Sequence, residues 1–505
     1  MISGKEIKVL DINSEFNGVP TIKLMENAGK GVAEFIIKQL KLRKDNILIF
    51  CGPGNNGGDG FVAARYLAKK NKVTVFLTGA ENDIRTKISK ANFKKLKNIK
   101  IKLYDISSKN ILDTILSQNN IIIDSMLGIG LSGSLREPYS TIVKKINSTS
   151  NKTIISVDIP TGLSTDKKIT PNYTITFHDK KIGMNIENSG EIIVKDIGIP
   201  KKAIDYVGPG ELTTFYPKPK KESHKGENGR LLIVGGGLYY GAPALSSFAA
   251  QRTGIDLIFV ATPKKVARAI TSYSPLLIKP VRLAKDIAKL SPTLIVKELN
   301  DEDHFVSNDL EIIKTLNSKV DALVIGPGLG SEMDTQKAVE KIIDFFVKNK
   351  KPMVIDADAI KAIGNKPDII KNSQIVVTPH TGEYKELTGV KLSNNINERK
   401  KNVETWAKKL GVTILLKGPI DIISNGKETK FNDIHNESMT VGGTGDVLAG
   451  IVGALLSKGV EPYNAARAGI FINGEAGNFA YKKRSYGLIA TDVIDEIPNV
   501  LRKYL

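Results

Sequence analysis

The chain has 505 residues, a formal net charge of +20, one cysteine and five histidines. That length exceeds a single core and predicts two domains, while one cysteine rules out intrachain disulfides and the scattered histidines argue against a Cys/His zinc cluster. The lysines alternate with Glu and Asp and form no basic stripe interleaved with aromatics, and no apolar run reaches the length of a membrane span, so the partners expected are small anions rather than nucleic acid or membrane.

In chain order, residues 20–40 have the apolar spacing of an amphipathic helix, with Leu24, Met25, Ala28, Val32 and Ile36 on one face. An apolar strand, Ile47 to Cys51, follows. After it come the glycine loop Gly52-Pro53-Gly54-Asn55-Asn56-Gly57-Gly58-Asp59-Gly60, a helix from Phe61 to Lys70 and a strand from Val73 to Leu77. This alternation predicts a parallel, doubly wound sheet. Further strands are expected at 100–104, 121–125 and 153–157. The glycine loop matches neither the dinucleotide fingerprint nor a Walker loop, and it reads either as a ligand-facing turn or as a plain asparagine-rich one. Cys51 reads as a buried filler. Two more strand ends carry an Asp before a glycine turn, Asp124 to Gly133 and Asp158 to Gly162. Asn56, Asp124, Asp158 and Thr161 are therefore expected to converge on one oxygen-lined site suited to a hard cation.

The stiff, charged segment Pro217-Lys218-Pro219-Lys220-Lys221 is read as a linker, with domains at 1–216 and 223–505. The α/β pattern then restarts, with strands expected at 231–234, 256–261, 322–325, 353–356, 375–378 and 412–416. Their ends carry Gly235 to Ala242, Gly326 to Gly330, Asp356-Ala357-Asp358, Thr378 to Glu383 and Lys417-Gly418-Pro419. Such a concentration of glycine and polar groups on one sheet edge exceeds what turns alone require. Lys417 reads as a phosphate holder and His380 as a ligand contact.

Near the C-terminus, Gly442-Gly443-Thr444-Gly445-Asp446 opens an apolar helix through Val447 and Leu448. Unpaired N–H groups at a glycine-rich helix start suit phosphate oxygens. Asp446 is out of place beside an anion. It either takes a proton from an attacking hydroxyl or caps the helix.

These motifs, together with Leu24-Met25-Glu26-Asn27-Ala28-Gly29 and His224-Lys225-Gly226, recur in order over nearly the full chain, which resembles the bifunctional NAD(P)H-hydrate repair enzymes. The resemblance implies a Rossmann-like epimerase domain ahead of a larger ribokinase-like dehydratase domain. The substrates implied are NADHX and NADPHX, the hydrated forms of NADH and NADPH, with ADP as the expected co-substrate. In the epimerase half it implies hydrate contacts at Asn55, Asn56, Gly57, Gly58, Asp59, Gly128, Ile129, Gly130, Leu131, Ser132, Gly133, Ser134 and Asp158. Potassium would be held there by Asn56, Asp124 and Thr161. In the dehydratase half, Ala242, Gly328, His380 and Asp446 would face the hydrate. Lys417, Gly418, Pro419, Ile420, Asp421 and Gly445 would face the nucleotide, which brings Mg2+. A cytoplasmic homo-oligomer, tetramer or octamer, is also implied.

Departures from the family pattern are few. Thr161 stands where Ser is commoner, Ile129 replaces a usual Thr, and Gly237 sits where Ser is frequent. One alternative keeps the same Asp446 chemistry in a small-molecule kinase that releases a stable phosphorylated product, with the first half a non-catalytic binding module.

Overall fold

The computed structural model describes residues 1–41, 45–130, 133–272 and 293–505. Leu131 and Ser132 lie outside the described residues. Two compact units are present, Met1–Ile204 and Asp205–Leu505. The division falls ahead of the expected 217–222 linker, because residues 205–216 pack with the second unit. Its helix Pro209–Phe215 lies against the helix Pro462–Arg484, and the fully buried Glu211 Oε1 accepts a hydrogen bond from Arg467 Nη2 at 3.1 Å. The Pro-Lys stretch that follows has no regular structure, as its composition requires.

Seven strands build the sheet of the first unit: β1 (Asn46–Cys51), β2 (Lys72–Leu77), β3 (Lys102–Tyr104), β4 (Ile121–Ser125), β5 (Thr153–Val157), β6 (Tyr173–Phe177) and β7 (Glu191–Lys195). Their order is β3-β2-β1-β4-β5-β6-β7, and every pairing is parallel. A parallel sheet is covered on both faces, so its strands are apolar throughout rather than alternating. In β1, Ile47, Ile49 and Cys51 face one core while Leu48 and Phe50 face the other. β6 and β7 extend the sheet beyond the strands expected from sequence.

The second unit has nine strands: β8 (Arg230–Val234), β9 (Leu257–Thr262), β10 (Ile295–Glu298), β11 (Ala322–Ile325), β12 (Met353–Ile355), β13 (Ile375–Val377), β14 (Thr413–Leu416), β15 (Asp421–Ser424) and β16 (Thr429–Asn432). They run in the order β10-β9-β8-β11-β12-β13-β14-β15-β16. Only β14–β15 and β15–β16 pair antiparallel. Leu231 and Ile233 belong to one core, Leu232 and Val234 to the other. Both units are thus doubly wound α/β, as expected. Strand order reverses between β1 and β4 in one sheet and between β8 and β11 in the other, and doubly wound sheets bind ligands at such a crevice. No helix among the described residues is long and apolar enough to cross a membrane.

Candidate functional site

In the first unit, the glycine stretch after β1 is not a loop followed by a helix at Phe61. The helix begins at Asn55 and runs to Leu67. Its glycines serve close approach: a Cβ on Gly57 would lie 1.9 Å from the Gly52 carbonyl oxygen, and one on Gly58 would lie 2.6 Å from Met25 Sδ. Gly57 and Gly58 are therefore buried behind the site. Asn55, Asn56 and Asp59 line a cleft of about 770 Å³, together with Gly128, Ile129, Gly130, Ser134 and Asp158. Gly133 is described but is not part of that lining.

Asn56, Asp124 and Thr161 come together as expected. Asp124 is fully buried and accepts from Thr161 Oγ1 at 2.6 Å, Thr161 N at 2.8 Å, Ser156 Oγ at 2.9 Å and Met126 N at 3.3 Å. Burial pushes its carboxyl up, and these hydrogen bonds restrain the rise without cancelling it. Asn56, only 8% exposed, donates Nδ2 to Leu127 O at 3.2 Å, while its Oδ1 has no partner. Asn56 thus leaves a buried oxygen orphaned close to the Leu127 carbonyl, toward which the Thr161 hydroxyl paired with Asp124 also turns, and such an oxygen set suits a hard cation. Asp158 does not join this cluster. With φ at +65° its carboxylate turns to Lys181, where Oδ1 lies 2.5 Å from Nζ.

Sequence reasoning missed several residues of this cleft. Asp11, on the helix Gly4–Phe16, and the buried Lys181 both line it, and so do the exposed cations Lys8, Arg85 and Arg136. None carries a motif, and they come from separate elements. Burial, and then Asp158, push the Asp11 carboxyl up to about 6, with Lys181 acting the other way. Burial and the charges of Asp158 and Asp11 hold Asp59 well above the usual carboxylate range. Cys51 is buried and its thiol is pushed up, which fits a filler.

In the second unit, the strand ends singled out from sequence belong to β8, β11, β12, β13 and β14, five consecutive neighbours whose parallel pairing puts all the ends on one edge. Gly326, at φ +126°, could carry no side chain there, since its Cβ would lie 1.8 Å from the Asp356 carbonyl. Gly328 and Ala242 adjoin, with Cβ positions 3.1 Å apart. Lys417 Nζ donates to Asp356 Oδ1 at 2.9 Å and stands 3.9 Å from Glu383 Oε2. Gly445 gives that ammonium room, a Cβ there lying 3.4 Å from Nζ. Burial pulls the Lys417 ammonium down, but Asp356, Glu383 and Asp446 outweigh it and hold it above the usual lysine value.

The helix Thr444–Ser457 starts from Gly443 at φ +95°, and no side chain caps it. Asp446 is therefore not a cap. It sits at the third helical position, its main chain anchored by Ser246 Oγ at 2.9 Å. Burial, then the Asp356 charge, push its carboxyl up to about 7 against the pull of Lys417. His380 does have a local task. Its Nδ1 accepts from Gly382 N at 2.9 Å and Glu383 N at 3.2 Å, capping the helix Thr381–Thr388, while its side chain remains 59% exposed. Asp421 turns inward, accepting from Gly418 N at 2.9 Å and Asn432 Nδ2 at 2.8 Å, so it shapes the Lys417–Ile420 turn from behind. Pro419 is exposed on that turn and Ile420 partly so. No group of three or more His, Cys, Asp or Glu side chains among the described residues is arranged to hold a metal.

Two doubly wound sheets, each with convergent polar groups at its switch point, and a glycine-led helix presenting an aspartate beside a lysine, define a two-domain α/β enzyme acting on small, phosphate-bearing ligands. A family model described as NAD(P)H-hydrate dehydratase matches residues 231–499, and one described as YjeF-related protein N-terminus matches residues 21–183. The bifunctional NAD(P)H-hydrate repair enzyme Nnr of Hyperthermus butylicus is 37% identical over 514 residues, covering 99% of this chain and 92% of that protein. Its counterpart in Methanocaldococcus jannaschii is 38% identical over 516 residues, covering 99% and 94%. Among solved structures, an ADP/ATP-dependent NAD(P)H-hydrate dehydratase from Bacillus subtilis is 22% identical with a TM-score of 0.46, covering 60% of this chain and 99% of that one. The chain belongs to the bifunctional NAD(P)H-hydrate repair enzymes.

Proposed function

We propose that the first unit's cleft is the epimerase site and the second unit's sheet edge the dehydratase site of this bifunctional enzyme. The chain interconverts R and S hydrates of NADH and NADPH and dehydrates the S form with a nucleotide as co-substrate. The observation that carries the residue assignment is Asp446, uncapping and half-buried, beside a lysine that Gly445 admits.

Hydroxide leaves poorly and phosphate leaves well. Asp446 takes the proton of the hydrate's hydroxyl as that oxygen attacks the nucleotide's terminal phosphorus, and the bond from phosphorus to the nucleotide breaks. Phosphate then departs with the carbon–oxygen electrons, driven by the ring nitrogen's lone pair. Loss of a proton from the neighbouring carbon restores the dihydropyridine. Lys417 and the N–H groups of Gly443 to Gly445 offset phosphate charge, and ADP is the proposed donor. Mg2+ carried by the nucleotide would neutralise charge on the transferring group. Ala242, Gly328 and the exposed edge of His380 are assigned to the hydrate.

In the first unit, Asn56, Asp124 and Thr161 would hold a potassium ion that orders the loops after β1, β4 and β5. The cations Lys8, Arg85 and Arg136 suit the substrate's phosphates. The reading includes a cytoplasmic homo-oligomer, tetramer or octamer, with neither nucleic acid nor membrane as partner.

Asp446→Asn tests the assignment. Dehydration of the S hydrate should fall at least about hundredfold, the range for a lost general base, with nucleotide affinity by calorimetry unchanged. Retention of more than about a tenth of wild-type turnover would exclude Asp446 as the base.

A further inference from the structure

Epimerising a carbon that bears both a hydroxyl and a ring nitrogen requires one group to take a proton and another to give one. The first unit's cleft holds three carboxyls, Asp11, Asp59 and Asp158, and one buried ammonium, Lys181. Lys181 is committed. Its Nζ lies 2.5 Å from Asp158 Oδ1 and donates to Thr176 Oγ1 and Phe177 O, both at 2.8 Å, which uses the three donors of an ammonium. Among the described residues, neither the Asp11 nor the Asp59 carboxyl takes a hydrogen bond or an ion pair. The same cleft contains the unpartnered, buried Asn56 Oδ1, an independent mark of a missing ligand.

We propose that Asp11 is the base and Asp59 the acid of the epimerase, acting by reversible opening of the hydrate's ring. This rests on the first unit being the epimerase. Asp11 takes the hydroxyl proton, the oxygen's electrons form a carbonyl, and the carbon–nitrogen bond breaks with its pair going to nitrogen. Asp59 protonates that nitrogen. Rotation about the adjacent carbon–carbon bond turns the aldehyde's other face to the nitrogen. On closure the nitrogen returns its proton to Asp59 while the oxygen regains one from Asp11. No atom is gained or lost, nothing is oxidised, and both carboxyls end as they began.

The two carboxyls sit in different surroundings, which is how one cleft runs base and acid chemistry together. Across the cleft, Asp11 faces Asp59, Asp158, Lys181 and His178. Lys8 on its own helix, with Arg85 and Arg136 on other segments, is exposed. With its carboxyl pushed up to about 6, Asp11 is ionised at neutral pH and becomes protonated just below it.

The full-length protein tests this, given mixed hydrate epimers and excess nucleotide. A fast phase of reduced-nicotinamide recovery reports dehydration of the S form, and a second phase reports conversion of R to S above the spontaneous background. Asp11→Asn should slow the second phase at least about hundredfold and leave the fast phase unchanged. Asp11→Glu, which restores a carboxyl, should recover at least about tenfold over Asp11→Asn. The wild-type epimerisation kcat/KM should rise through about pH 6, and Asp11→Asn should lose that limb. An Asp11→Asn second phase within about threefold of wild type, or Asp11→Glu no better than Asp11→Asn, would overturn the proposal. If the wild-type protein shows no second phase above background, the epimerase assignment itself fails and Asp11's role falls with it.

Discussion

Asp446 concentrates the residue-scale argument. A carboxyl with a folded-state value near 7 is protonated in mildly acidic solution and cannot accept the hydroxyl proton. Dehydration kcat/KM should therefore fall about tenfold per pH unit below 7 and level off above it, the free enzyme's value being the one this ratio reports. A profile flat from pH 5 to 8 would contradict the assignment. The linkage sign agrees with a functional price: because the folded value is raised, any stabilisation by the neutral form is present at low pH and lost as pH rises through about 7. Legibility at this scale was uneven. Asp446, Lys417, Asn56, Asp124 and Thr161 announce themselves by standing at glycine-rich strand ends. Asp11 and Lys181 do not, since their meaning comes from sharing a cleft with Asp158, which pairs with Lys181 and raises the Asp11 carboxyl. His380 and Asp421 also hold their own turns, and sequence spacing does not distinguish such local hydrogen bonding from ligand contact.

At the element scale, the stretch 52–60 is instructive. Glycine and asparagine usually mark a loop, but here tertiary contact overrides propensity and the chain is helical from Asn55. The glycines admit neighbouring backbone, which periodicity cannot reveal. Gly57→Ala would place a methyl 1.9 Å from a main-chain oxygen and should destabilise the first unit by about 1–3 kcal/mol, the usual cost of overpacking. At Gly54, where a Cβ meets nothing within 4 Å, the same change should be tolerated. Thermal unfolding of both variants checks this, and equal melting temperatures would refute the close-packing account. The apolar interior strands were readable because parallel strands are covered on both faces. The strands β6, β7, β10, β15 and β16 were not, being short and lying toward the sheet margins, where half-exposed or polar residues dilute the pattern.

For the whole molecule, the order of strand, glycine turn and helix was enough to expect two doubly wound units. The boundary was misplaced because the helix Pro209–Phe215 joins the second unit through packing and the Glu211–Arg467 pair, neither of which leaves a compositional trace. A formal charge of +20 suits an enzyme whose substrates carry phosphates. Fusing the two activities has a chemical logic: only the S hydrate is dehydrated, so a chain that also converts R to S can recover the whole damaged pool. The most direct measurement supplies a mixture of R and S hydrates with ADP or ATP and follows the return of reduced nicotinamide to completion. The account predicts a fast phase equal to the S fraction and then a slower, enzyme-dependent phase that consumes the R fraction. Recovery that stops at the S fraction apart from spontaneous epimerisation, or accumulation of a stable phosphorylated hydrate, would contradict it.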